Sequence, residues 1–442
     1  MTPKDAEDLL RKALGGYTGN FGVAASPCFG WDFRPTQKLP KALPPGLESV
    51  IPLAFDSETD LKSFREVFEQ FVKPGGPGIV KWPRRMGADL SISGTDYFCP
   101  ANIDQLLFGD RYGARLLTGS EHLRTKGLAG TGVNVVVVDT GIDRTQIANF
   151  GGGWVPPGGP APGSLHFGHG PMMVRNILDA APQATLYDVP LIPLRIDDVD
   201  AFIYMALCVM LGVISDIVFL KQFEPWSGPW VLVNAWAVYD RSSEVPLGDY
   251  TADITHPFNV LTGFAVGQGI DVVFAAGNCG QFYPDNRCGV CDRGPGSSIY
   301  GANSHPQVIT TGAVRTDVRW LGTSSQGPGA IDPCKPDLCA PSNFREDQNA
   351  FTGNTAEPYV GLTGSPFIAS TGTSAACGVT AGIVAALRSN PQWDPATVSP
   401  SQMKQVLMNT ARKTEALGRN DHLGYGIINA RAAFGELSRR FP

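Results

Sequence analysis

Ser374 lies among small residues in the stretch 370–381, which reads STGTSAACGVTA. Thr373 before it and the alanines and glycines after it predict a helix that begins here and packs closely against neighbouring backbone. A hydroxyl at the start of a helix lies beside free N–H groups, which can stabilise an oxyanion. The residue types therefore indicate a candidate nucleophile. The alternative is a serine that only caps a helix of small residues.

Three more polar residues adjoin apolar segments that resemble buried strands or helices. Asp139 ends the apolar run NVVVVD, and Asn278 follows the run DVVFAAGN. His169 lies between two glycines directly before an apolar helical segment, whereas His166, a rival imidazole, lacks these flanking glycines. Each residue has an ordinary alternative role in a turn, a cap or a polar surface. A carboxylate, an imidazole, an amide and a hydroxyl at one edge would together favour nucleophilic catalysis.

Elements able to bring these residues together begin at about Arg115, where short apolar runs alternate with helical stretches. This alternation predicts an α/β fold with a parallel sheet that is covered on both faces. Ligands of such sheets bind beyond the carboxyl ends of the strands, so the site is expected there. The predicted strands are 134–138, 185–191, 230–238, 271–275 and 308–314, and the predicted helices are 172–179, 201–213, 258–268, 375–389 and 400–410.

Composition excludes some classes of partner. The 442 residues are 43% hydrophobic and 17% charged, with a net charge of −6, and no long basic run provides an electrostatic case for nucleic acid. The apolar stretch 201–220 is long enough to cross a bilayer, but Asp216 lies inside it, so we predict a buried helix that runs into a strand and no membrane partner. Acidic residues near the start leave no visible export signal, and a cytoplasmic protein is expected.

Nine cysteines are present, and for a cytoplasmic protein we expect most of them to be reduced. Cys279, Cys288 and Cys291 form a cluster in the sequence. A zinc site or a disulfide is one interpretation of this cluster, and cysteines without a shared role are the favoured one. We predict no metal.

The chain order Asp139, His169, Ser374 is the order found in subtilisin. Over roughly residues 123–433 the chain resembles the subtilisin-like serine peptidases, or subtilases. VVVVDTGID resembles their aspartate motif, GHG their histidine motif, VVFAAGN their oxyanion asparagine motif and GTSAACGVTAG their serine motif. The resemblance implies a three-layer α/β fold, with a mostly parallel sheet flanked by helices, and a serine endopeptidase that acts on protein or peptide substrates without a cofactor.

The resemblance also implies a role for each motif residue. Ser374 would attack the scissile carbonyl, His169 would transfer the proton and Asp139 would orient the imidazole. Asn278 and the backbone N–H of Ser374 would hold the oxyanion. Substrate backbone would bind along the strand that contains Trp236, Ala237 and Val238. The Trp236 side chain either shapes the primary pocket or is buried. Many subtilases bind calcium, but no matching acidic loop is found in this chain.

The chain also departs from the family at two places. Residues 171–175 and 375–379 differ from the sequences that usually follow the histidine and the serine. The departure after His169, together with Trp236, suggests a second hypothesis, a catalytically weak or inactive subtilase-like binding or scaffold protein. A third hypothesis is an esterase or amidase that uses the same residues on small substrates.

Residues 1–112 form a predicted N-terminal region before a catalytic domain of residues 113–442. Helices are predicted near its start and at 59–72, where Leu61, Phe64, Phe68 and Phe71 recur at helical spacing. The region is either a prosegment that is removed or a permanent accessory layer, and the second is slightly favoured by the apolar residues around Cys99.

Overall fold

The computed structural model describes most of the chain from residue 107 to residue 442. The described part leaves out 157–158, 166–167, 193–201, 243, 245, 297, 347–358, 361–365, 368 and 415–417, and before residue 107 it includes only the strand residues 22–23, 53–54 and 93–94. The helices predicted in the N-terminal region, and the rival His166, lie outside the described residues.

A seven-stranded sheet, parallel throughout, forms the centre of the fold, in the order β11-β10-β9-β7-β4-β6-β5. Its strands are β4 (Asn134–Asp139), β5 (Phe150–Gly153), β6 (Thr185–Pro190), β7 (Trp230–Asn234), β9 (Ile270–Ala275), β10 (Ile309–Val314) and β11 (Leu338–Pro341). The strands predicted around β4, β6, β9 and β10 are confirmed to within one residue at each end.

Eight helices are described. They are α1 (Arg111–Thr118), α2 (Glu121–Thr125), α3 (His169–Ala180), α4 (Phe202–Leu220), α5 (Pro257–Gly267), α6 (Gly372–Arg388), α7 (Pro400–Thr410) and α8 (Ala430–Arg440). The predicted helix 400–410 matches α7, and 258–268 matches α5 to within one residue. Both α3 and α6 begin three residues earlier than predicted, so His169 and Ser374 lie inside the first turns of their helices.

The pleat of the sheet explains the three layers. Successive side chains of a strand point to opposite faces, and in β4 Val135 and Val137 enter one core while Val136 and Val138 enter the other. The first core is shared with α3 and α6, and the second with α4 and α5. A sheet buried on both faces requires continuous apolar strands, which is what the sequence provides.

The prediction of a strand after residue 213 is wrong, because α4 continues as one helix to Leu220. Asp216 within this helix accepts a hydrogen bond from Trp154 Nε1 at 2.9 Å, which explains a carboxylate in an apolar stretch. None of the helices in the described part of the chain has both the length and the apolar composition that a membrane span requires.

Short strand pairs lie beside the main sheet. They are β1 (Gly22–Val23) with β2 (Leu53–Ala54), β3 (Ser93–Gly94) with β8 (Trp236–Ala237), β12 (Phe344–Arg345) with β15 (Ala369–Ser370), and β13 (Tyr359–Val360) with β14 (Pro366–Phe367). The predicted strand 230–238 is therefore interrupted at Ala235, where β7 ends and β8 begins to pair with β3.

Helices α3 and α6 approach each other closely because α6 presents glycines to α3. A Cβ at Gly382 would lie 2.5 Å from the carbonyl oxygen of Ile177, and one at Gly378 would lie 2.8 Å from Asn176 Cβ. Both distances are shorter than contacts between real side chains allow. The small residues after Ser374 therefore set the distance between the two helices.

We predict that Gly382→Ala lowers the free energy of unfolding by about 1–3 kcal/mol, because the new methyl group forces α3 and α6 apart. The matched control is Gly435→Ala in α8, where a Cβ meets nothing within 4 Å. That variant should gain up to about 1 kcal/mol from helix propensity. Urea denaturation of both variants measures the difference, and equal stabilities would contradict the packing described.

Candidate active site

Asp139 and His169 form a buried pair at the carboxyl end of β4. The Nδ1 atom of His169 lies 2.8 Å from Asp139 Oδ1 and 2.9 Å from Oδ2. The carboxylate also accepts the backbone N–H of Thr140 at 2.7 Å. With a carboxylate as the acceptor, Nδ1 of His169 is the donor in this contact, and Nε2 is the ring nitrogen that lies on the other side of the imidazole.

Two glycines let α3, the helix that begins at His169, approach the loop that follows Asp139. A Cβ at Gly170 would lie 1.9 Å from the carbonyl oxygen of Gly141, so no other residue fits without moving the backbone. Gly168, directly before α3, has a φ of 120°, which side chains rarely allow. The glycines around His169 therefore bring the imidazole to Asp139.

Asp188, the fourth residue of β6, supports the loop that follows Asp139. Its Oδ2 atom accepts the backbone N–H groups of Ile142 at 3.1 Å and Gly163 at 2.8 Å. Burial, with a smaller contribution from the charge of Asp139, raises the pKa of Asp188 to about 7 despite these hydrogen bonds.

Ser374 is the third residue of α6, and Thr371 occupies the N-cap position. The interpretation of Ser374 as a helix cap is therefore wrong. Backbone N–H groups in the first turn of a helix have no partner within the helix, and the positive end of the helix dipole lies there. Ser374 is thus placed where negative charge on a bound group is stabilised.

Asn278 follows β9 and connects this strand to the first turn of α6. Its Oδ1 atom accepts hydrogen bonds from the backbone N and the hydroxyl of Thr373, both at 3.0 Å. Gly277 before it has a φ of 101°, so the chain does turn here as the alternative interpretation required. The turn and the contact with α6 coexist, and Asn278 is only 1% exposed.

The side chains of the predicted substrate strand all lie in the interior. Trp236 is fully buried in an aromatic cluster, with ring centroids 5.9 Å from Phe202, 5.6 Å from Phe258 and 5.4 Å from Phe274. Trp236 does not shape a pocket, so this interpretation is wrong, and the alternative of burial is correct. Ala237 and Val238 are also buried. Any recognition by this strand must therefore use its backbone.

The cysteine cluster also differs from its favoured interpretation. Cys279, the residue after Asn278, forms a disulfide with Cys288, whereas Cys291 is a free, exposed thiol. The expectation that these cysteines share no role is wrong for this pair. In the described part of the chain no group of three or more His, Cys, Asp or Glu side chains is arranged to hold a metal ion.

Tyr239 is a site residue that the sequence interpretation missed. Its hydroxyl accepts a hydrogen bond from Asn278 Nδ2 at 3.0 Å. The residue follows β8 and lies in no recognisable motif, and its place next to the predicted substrate strand was the only available signal.

Comparisons with known proteins relate the chain to one family of peptidases. Residues 232–426, which include Asn278 and Ser374, match the Subtilase family. Subtilisin BL from Lederbergia lenta is 28% identical over 318 residues, which cover 70% of this chain and 93% of that protein. M-protease from Shouchella clausii is also 28% identical over 318 residues, covering 70% of this chain and 66% of that protein.

Solved structures show the same fold. MycP1 from the ESX-1 type VII secretion system superposes with a TM-score of 0.52 at 19% identity, covering 80% of this chain and 93% of that one. Fervidolysin from Fervidobacterium pennivorans, a keratinolytic enzyme related to subtilisin, gives a TM-score of 0.50 at 18% identity, covering 79% of this chain and 50% of that one.

The sheet, its flanking helices and the edge where Asp139 and His169 meet define a protein of the subtilisin-like α/β class. The family match over residues 232–426 and the subtilisin relatives make the chain similar to the subtilase family of serine peptidases.

The raised pKa of Asp188 predicts a pH dependence of stability. The folded protein keeps this proton up to about pH 7, whereas the unfolded chain releases it near pH 4. The folded state then binds more protons than the unfolded state, so the stability contributed by Asp188 is present at low pH and is lost as the pH rises through this window. Asp188→Asn should remove this loss.

Urea denaturation at pH 5 and pH 8 measures the effect. Between these values the wild type should lose more stability than Asp188→Asn, and the surface variant Asp317→Asn should follow the wild type. Parallel behaviour of the wild type and Asp188→Asn would show that Asp188 is ionised in the folded protein at both pH values.

Proposed function

We propose that the protein is a serine endopeptidase that hydrolyses peptide bonds with Ser374 as nucleophile, His169 as base and Asp139 as the residue that orients the base. The observation that supports this most is the contact of His169 Nδ1 with both oxygens of Asp139, at 2.8 and 2.9 Å, in a buried site. This contact selects the tautomer that a general base requires.

The reaction follows from these roles. Ser374 Oγ attacks the carbonyl carbon while its proton passes to His169 Nε2, and the carbonyl electron pair moves onto the oxygen. Asn278 Nδ2 and the Ser374 N–H stabilise this oxyanion. The imidazolium then protonates the leaving amine as the C–N bond breaks, and water releases the acyl group by the same sequence of proton transfers.

Protein or peptide substrates fit the edge of β8. Extended peptides commonly bind by adding a strand to a sheet edge, where main-chain hydrogen bonds supply the affinity. The side chains of Trp236 and Ala237 are buried, and the backbone of β8 already pairs with another segment. We propose that a substrate pairs with this backbone in the same manner.

That other segment belongs to the N-terminal region. Ser93 lies opposite Ala237 and Gly94 lies opposite Trp236 in an antiparallel pair. Because two strands cannot occupy one edge, we propose that this segment blocks the substrate edge until it is displaced. This favours a prosegment within residues 1–112 over a permanent layer.

One of the two observations that suggested the scaffold hypothesis no longer supports it. The side chain of Trp236 does not narrow the primary pocket, because it lies in the core among Phe202, Phe258 and Phe274. The residues after His169 do depart from the sequence usual in the family, yet they form part of the contact between α3 and α6, since a Cβ at Gly378 would lie 3.3 Å from the carbonyl oxygen of Met173. The peptidase is therefore the better supported function.

We predict that a fluorophosphonate probe labels the wild type and not Ser374→Ala, because only an activated serine reacts with it. Ser389→Ala, at the other end of α6, should label normally. An unlabelled wild type, or equal labelling of Ser374→Ala, would refute the proposed function. Casein cleavage compared with small-ester turnover by the same preparations separates a peptidase from an esterase.

We also predict that the N-terminal region is removed only by an active enzyme. Intact-mass measurement should find the full 47.1 kDa in Ser374→Ala and a smaller species in the wild type, with peptidase activity rising as the smaller species forms. A wild type that cleaves peptides at its full rate while it retains the whole chain would mean a permanent layer.

A further inference from the structure

The oxygen and the NH₂ group of the Asn278 side chain both form hydrogen bonds. A backbone N–H can only donate, so the contact with Thr373 N requires the oxygen of the carboxamide on that side. The NH₂ group must then face the other way, where Nδ2 donates to the hydroxyl of Tyr239 at 3.0 Å. The orientation of the amide is therefore fixed by one partner on α6 and one on the segment after β8.

Tyr239 is itself held rigidly. It is 1% exposed, and its carbonyl oxygen accepts the N–H of Gly289 at 2.8 Å. The guanidinium carbon of Arg287 lies 4.9 Å from the centroid of its ring. Its side chain packs in one cluster with Ala237 and with both cysteines of the disulfide. This disulfide joins the residue after Asn278 to Cys288, the neighbour of Gly289. Asn278 and Tyr239 are thus both buried beside the loop 279–288 that this disulfide closes.

We infer that Tyr239 is a positioning residue for the oxyanion amide. By accepting one Nδ2 hydrogen, its hydroxyl fixes the plane of the Asn278 carboxamide and leaves the other hydrogen for the oxyanion. This inference rests on the proposed function. Preorganised donors are effective because they need no reorganisation when charge develops, so an amide held in advance stabilises the transition state better than one that can rotate.

Tyr239→Phe removes only the hydroxyl and tests this role. We expect kcat to fall about three- to tenfold, which corresponds to the loss of one neutral hydrogen bond. KM should stay within about twofold, because the oxyanion exists only beyond the ground state. Rates are counted per active site titrated with the fluorophosphonate, so that misfolded protein is not included.

The double variant distinguishes positioning from a structural effect. Asn278→Ala alone should lower kcat about a hundred- to a thousandfold, the range known for one such donor in subtilisin. Adding Tyr239→Phe to Asn278→Ala should not lower kcat further, because Tyr239 acts through the amide of Asn278. The matched control is Tyr187→Phe, which removes a buried hydroxyl 3.4 Å from Asn134 at the amino end of β4 and should leave kcat unchanged.

Two results would overturn the inference. One is a kcat that is unchanged or raised in Tyr239→Phe. A raised kcat would mean that the hydroxyl obstructs the oxyanion site. The other is a fall in kcat on adding Tyr239→Phe that is as large in the Asn278→Ala variant as it is in the wild type. If Asn278→Ala itself leaves kcat unchanged, the oxyanion role in the proposed function fails instead, so the two failures are distinguishable.

Discussion

The close contact between α3 and α6 is the constraint on which the site depends. Met172 Sδ lies 3.4 Å from the backbone N of Thr371, and further along the helices Gly378 faces Asn176 and Gly382 faces Ile177. These pairs follow the same direction in both helices, so the two helices run parallel and begin at the same end. His169 and Ser374 lie in those first turns. Larger residues at the two glycine positions would separate the helices and, with them, the imidazole from the serine.

A second requirement is electrostatic, because carboxylates are buried near this edge of the sheet. Asp139 is compensated by the imidazole of His169 and by the N–H of Thr140. Asp188, which has two backbone donors and no cation beside it in the described structure, instead has a pKa raised to about 7. For Asp188 the backbone donors oppose the desolvation only in part, so burial determines the direction of its pKa.

Much of this arrangement could be predicted from the sequence, because each catalytic candidate ends or begins a strongly patterned segment. The run NVVVVD is short and consists mainly of β-branched valines, which favours a buried strand, and this strand ends in Asp139. The stretch 201–220 is different, since a continuous apolar run has no period that separates a buried helix from a strand, and α4 proved to be longer than expected. The partner of Cys279 and the role of Tyr239 depend on contacts across loops, which leave no local pattern. The cytoplasmic location stays a prediction.

A crystal structure with a peptide boronic acid bound would test the central claim most directly, namely that Asp139, His169, Ser374 and Asn278 act on one reacting group. A boronate is tetrahedral and negatively charged, as the transition state is. The account predicts a bond from boron to Ser374 Oγ, one boronate oxygen within hydrogen-bond distance of Asn278 Nδ2, and the peptide paired with the backbone of β8 in place of Ser93 and Gly94. A boronate bound to another residue, or one whose oxygens are all remote from Asn278, would contradict it.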